Sequence, residues 1–118
     1  MTQAEFIARA KRCARTLKAT TRGERSAKHS VYVVLLHDPR RDRWGLYVGQ
    51  TSRDPDWRFD QHKAGYKASS AVRRFGVRLL PEVAEHLNPM HQWESLDLEA
   101  ALAASFGDAG ILWVEGGH

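Results

Sequence analysis

Hydrophobic positions follow helical spacing first. Phe6, Ala10, Cys13 and Leu17 recur at intervals of three and four, with Arg9, Arg12, Arg15 and Lys18 interleaved. This pattern predicts an amphipathic helix over residues 3–19. The polar stretch TTRGERSAKHS then interrupts the periodicity and reads as a linker. The run VYVVLLH (31–37) is apolar and β-branched, as in a largely buried strand, and DPRRD turns the chain. WGLYVG (44–49) is the returning strand. Asp54, Pro55 and Gly65 punctuate the next helix as N-cap, first helical residue and C-terminal stop. SSAVRRFG predicts a short helix ending at Gly76, and VRLLP (77–81) a third strand. After a loop around LNPMHQ, SLDLEAALAASFG predicts a final helix capped by Gly107. ILWVEGGH closes the chain as a short strand and tail. There is no internal repeat.

Composition narrows the class. The chain has 118 residues, 42% of them hydrophobic, which suits one small domain with one core. No run approaches the roughly 18 apolar residues of a membrane span. The basic N-terminus lacks the apolar segment of a secretory signal. The single Cys13 excludes an internal disulfide, so a reducing, cytoplasmic setting is the expectation. Net charge is +4 and unevenly spread. Residues 1–30 carry eight Lys/Arg against Glu5 and Glu24, whereas the remainder is −2. A basic arm on a nearly neutral body fits a nucleic-acid partner. It fits a solvated helix face equally well.

The hairpin supplies the first candidate chemistry. A turn centred between Pro39 and Arg40 pairs Tyr32 with Tyr47 and puts both phenols on one face. Gly45 and Gly49 share that face and are expected to leave room above the rings, whereas glycine weakens a strand built only to pack. Val33, Leu35, Trp44, Leu46 and Val48 form the opposite, packing face. Arg58 and His62 lie one turn apart on the helix that follows, so they project together. Alone, such a pair is usually a solvated face. Beside two phenols, an arginine is a serviceable phosphate ligand with two parallel donors. In the final helix Leu98, Leu102 and Phe106 mark the buried stripe, with Glu99 at its edge. Glu99 is either exposed or a hard oxygen ligand for a divalent cation, with Glu94 and Asp97 as rivals. Lys63, Lys67, Arg73 and Arg74 line a phosphate track or are solvated, and Arg12 and Arg15 belong to the basic arm. His86 and His91 read as surface loop residues.

Taken together, VYV, YVGQTS, RFDQHKAG and Glu99, in that order, resemble the GIY-YIG nuclease domain over residues 30–118. Residues 1–29 then stand apart as a basic helix and linker. The resemblance implies an α+β fold, with a small three-stranded antiparallel or mixed sheet flanked by helices. It implies metal-dependent hydrolysis of nucleic-acid phosphodiesters, with DNA favoured over RNA. Tyr32 and Tyr47 match the motif tyrosines, Arg58 the catalytic arginine and His62 its partner. Glu99 matches the ligand of a single Mg²⁺ or Mn²⁺. In this reading Tyr32 serves as base or relay, His62 takes its proton, and Tyr47 orients water or substrate. The first motif keeps only the tyrosine and hydrophobic character of GIY, and His118 falls near the family's terminal asparagine. A binding module of the same fold, or an accessory subunit docked through the basic helix, are the other readings.

Overall fold

The computed structural model describes residues 1–117; His118, and the role assigned to it, lie outside the described residues. Helix α1 spans Gln3–Arg15, followed by strands β1 (Ser30–Asp38) and β2 (Arg43–Thr51). Helices α2 (Pro55–Ala64) and α3 (Ser70–Phe75) lead into β3 (Gly76–Leu79). Then come the short α4 (Pro81–Ala84), a 3-10 turn (Glu85–Leu87), the long α5 (Gln92–Asp108) and β4 (Val114–Gly116). The sheet has four strands in the order β3-β1-β2-β4: the short C-terminal strand read from ILWVEGGH joins the three that the family resemblance implies. β1 runs antiparallel to β2 and β3, and β4 runs parallel to β2. Within the described residues, no helix is long and apolar enough to cross a membrane.

The sheet separates two apolar layers. On one face Val31, Val33, Leu35, Leu46 and Val48 meet Phe6, Ile7, Ala10 and Ala14 of α1, Val83 and Ala84 of α4, and Leu98, Leu102 and Phe106 of α5. On the other, Tyr32, Val34 and Leu36 meet Ala71 and Val72 of α3, with Tyr47, Phe59, Phe75 and Trp113 packed around them. Strand alternation sorts these sets as the sequence indicates. The basic N-terminal helix thus contributes its apolar stripe to the main core. The division at residue 29 marks a change in charge, not a second core.

The hairpin register differs from expectation by two residues. Tyr32 lies opposite Gly49, and Tyr47 opposite Val34. The cause is the loop: the Asp38 carboxylate accepts the Arg40 N–H at 3.0 Å and an Arg41 guanidinium N–H at 2.8 Å. That tie holds open a four-residue connection, with Asp42 in the left-handed region at φ 48°. A two-residue shift preserves side-chain parity, so both tyrosines keep one face and become diagonal neighbours.

Two helix ends also move. α1 stops at Arg15 instead of residue 19, because the chain beyond it turns to α5. There the buried Glu94 carboxylate accepts the backbone N–H and hydroxyl of both Thr20 and Thr21, at 2.6–2.8 Å. α5 runs through Gly107 and closes instead before Gly110, at φ 87°. Near LNPMHQ, the Asn88 side chain brackets Val31, accepting its N–H at 2.9 Å and donating to its carbonyl at 2.8 Å. His86 bonds the Ala14 carbonyl at the end of α1, and His91 pairs with Glu24 at 2.8 Å. His86 is exposed, as a surface residue should be, and both histidines tie the N-terminal segment down.

Candidate active site

α2 is set by its caps. The Asp54 side chain accepts the Asp56 N–H, Pro55 occupies the first turn, and Gly65 ends the helix at φ 88°. Its start, four residues after β2, brings Arg58 and His62 over the Tyr32 face. His62 is 1% exposed. Its Nδ1 accepts the Ser69 backbone N–H at 3.0 Å, and its Nε2 lies 2.8 Å from the Tyr32 hydroxyl. A neutral imidazole that accepts at Nδ1 carries its proton on Nε2, so His62 donates to Tyr32. Burial first, then the Arg58 charge, pulls the imidazole down to about 4. His62 therefore does not take a proton from Tyr32, contrary to the role first assigned to it.

Tyr32 is 4% exposed. Burial and then Tyr47 push its phenol well above the ordinary range, against the opposing pull of Arg58. With no cation bound, a phenol so placed is a poor base, and its hydrogen bonds suit a relay. Tyr47 is half-buried, with its ring centroid 6.1 Å from that of Tyr32 and 5.4 Å from that of His62. Burial raises Tyr47 too, but the Tyr32 hydroxyl and the Arg58 charge oppose the rise. The donor sequence Ser69 to His62 to Tyr32 thus leads towards Tyr47, the more open phenol.

The glycines beside Tyr47 do not leave empty space. A Cβ at Gly49 would lie 2.5 Å from the Tyr32 hydroxyl oxygen, and one at Gly45 would lie 2.5 Å from the Trp113 indole. Each glycine is needed because an aromatic ring lies flat against the strand there. Trp113 gave little sign of this in the sequence; its pairing with Gly45 depends on β4 adding to the sheet edge.

Arg58 donates to the Lys67 carbonyl at 2.8 Å and to the Tyr66 carbonyl at 3.4 Å. These bonds fix one side of its guanidinium, while its charge acts on Tyr32, Tyr47 and His62 alike. Glu99 on α5 is 7% exposed, and its charge acts on both phenols. Glu94 is a different kind of carboxylate. Burial would raise it, but the four Thr20 and Thr21 bonds outweigh that and hold it down at about 2. Those bonds leave Glu94 no rival claim as a metal ligand.

The remaining basic candidates divide. Lys63 donates to the Arg73 and Gly76 carbonyls at 3.4 and 3.0 Å, capping α3 instead of lining a track. The Lys67 ammonium rests over the Tyr66 ring, 5.7 Å from its centroid. Arg73 is exposed near Gly65, and Arg74 is exposed over Phe75. Arg12 and Arg15 are exposed on α1, across the sheet from the tyrosines.

A metal fit can be judged from the donors. Among the described residues no group of three or more His, Cys, Asp or Glu side chains converges. That excludes an all-protein cage, whereas magnesium needs only one or two carboxylates and keeps its waters. A single carboxylate such as Glu99, whose charge is felt by both phenols, is what the second kind of site requires. Comparison of the chain with protein-family models, curated proteins and solved structures found no match.

Proposed function

We propose that this protein is a metal-dependent endonuclease of the GIY-YIG type, hydrolysing phosphodiester bonds in nucleic acid, with DNA the favoured substrate. The observation that supports it most is the meeting of five side chains from β1, β2, α2 and α5. Tyr47, half-buried, stands at the end of the His62–Tyr32 pair, within the fields of Arg58 and Glu99.

In this reading the unfixed side of Arg58 takes the scissile phosphate, neutralising it and setting its orientation. Tyr47, a neutral phenol, orients the attacking water by a hydrogen bond, and the proton that this water loses as it attacks passes to bulk solvent. Tyr32 positions Tyr47, and His62 positions Tyr32. Glu99 is the residue to hold a divalent cation, which when bound supplies Lewis-acid stabilisation of the leaving oxygen.

The raised phenols favour a second reading, a module that binds nucleic acid without cutting it. Plasmid nicking in magnesium separates the two. Glu99→Gln should abolish nicking with the fold retained, whereas nicking at the wild-type rate by Glu99→Gln would refute the assignment.

A further inference from the structure

The face that carries Tyr47 continues into a second set of cations. At the far end of the β1–β2 hairpin, Arg40, Arg41, Arg74 and Phe75 line an open groove of about 530 Å³. Arg41 is spoken for by Asp38 at 2.8 Å. Arg40 and Arg74 are exposed and form no salt bridge among the described residues.

The groove is joined to the site by two arginine–ring pairs that meet through their rings. The Arg74 guanidinium lies 5.0 Å from the Phe75 centroid, and Phe75 meets Trp113 edge-on at 5.3 Å. Arg43 covers Trp113 at 5.1 Å. Trp113 in turn lies on Gly45, two residues from Tyr47 on the same side of β2. The carboxylates along this line are engaged: Asp38 with Arg41, and Glu115 with the Trp113 indole N–H at 3.1 Å. Positive charge spaced by ring faces is the composition of a surface that follows a nucleic-acid strand.

We infer that this line is a backbone track, carrying nucleic acid from Tyr47 to the hairpin groove, where Arg40 and Arg74 each hold a phosphate. The identity of the ligand rests on the nuclease reading above. Strand rise makes the path from Tyr47 to Arg43, where β2 begins, about 13 Å. At about 3.4 Å of axis per phosphate, one strand of a duplex would place roughly four phosphates along it.

The test uses the full chain and a fluorescein-labelled 24-base-pair DNA duplex, with affinity followed by anisotropy from about 50 to about 200 mM salt. Arg40→Ala/Arg74→Ala should lower the slope of log affinity against log salt by about 1.8, at about 0.9 per lost phosphate contact. Arg22→Ala/Arg25→Ala removes the same charge from the exposed linker and should leave the slope within error of wild type. An unchanged slope in the first variant, an equal fall in both, or no binding by the wild type would each overturn the track. Nicking by the wild type in magnesium is scored separately. A selective fall in slope without nicking would uphold the track and sink the nuclease reading.

Discussion

His62 donates its Nε2 proton to the Tyr32 hydroxyl across 2.8 Å, because the Ser69 N–H already occupies Nδ1. That one tautomer sets the direction of the whole polar cluster. It makes Tyr32 an acceptor from the histidine and leaves its own proton to act towards Tyr47.

The first consequence concerns the two tyrosines. Tyr47→Phe should cost about 100-fold or more in cleavage rate, about the loss when one positioned transition-state hydrogen bond is removed. Tyr32→Phe should retain more activity but lose about 1–3 kcal/mol of stability, since the buried His62 N–H is left without an acceptor. Single-turnover cleavage and urea unfolding measure the two effects. The reverse ranking in rate would return the base role to Tyr32.

Two groups should make stability depend on pH in separate windows. His62 is held at about 4, below its ordinary 6.5, so the unfolded chain binds that proton more tightly. Stability is therefore lost as pH falls from about 6.5 to about 4. Glu94 is held at about 2, below its ordinary 4.5, so its contribution is complete above 4.5 and lost on descent to about 2. Denaturant midpoints measured against pH should show both declines, and His62→Gln should remove only the upper one.

Glu94 and Glu99 lie five residues apart on α5, yet their substitutions should fail differently. Glu94→Gln should lower stability by about 2–4 kcal/mol, because buried donors lose a charged acceptor. Below its melting temperature that variant should still cleave. Calorimetry and nicking on the same preparation test the distinction.

Helix α1 should prove structural. Phe6 and Ala10 are buried in the core between sheet and helices, so Phe6→Ala should cost about 3–5 kcal/mol. Deleting residues 1–28 should abolish cooperative thermal unfolding, not merely weaken nucleic-acid binding. A truncation that melts like the full chain would contradict the packing of α1.

Where the local chain dictates geometry, the sequence was legible. Asp54, Pro55 and Gly65 mark the ends of α2 by backbone chemistry confined to a few residues, and alternation alone separates Tyr32 and Tyr47 from Leu35 and Leu46. The one-turn spacing likewise puts Arg58 and His62 together. What stayed hidden depended on distant partners. The hairpin register turned on where Asp38 directs its carboxylate. The end of α1 and the role of Glu94 turned on Thr20 and Thr21, more than seventy positions earlier in the chain. The tautomer of His62 required knowing which backbone N–H would reach Nδ1; Ser69 precedes α3 and looks from the sequence like no more than its cap.

The proposal that Arg58 and its neighbours cleave phosphodiesters with a metal is decided by nicking of supercoiled plasmid by the purified full chain, in magnesium and in EDTA, beside Arg58→Ala. Arg58 is half-exposed, so its loss should leave the fold intact. Nicking is expected from the wild type in magnesium only, and at least a 100-fold slower rate from Arg58→Ala, about the loss when one transition-state donor is removed. A folded wild type that leaves the plasmid intact in magnesium, or an Arg58→Ala chain that nicks it as fast as the wild type, would contradict it.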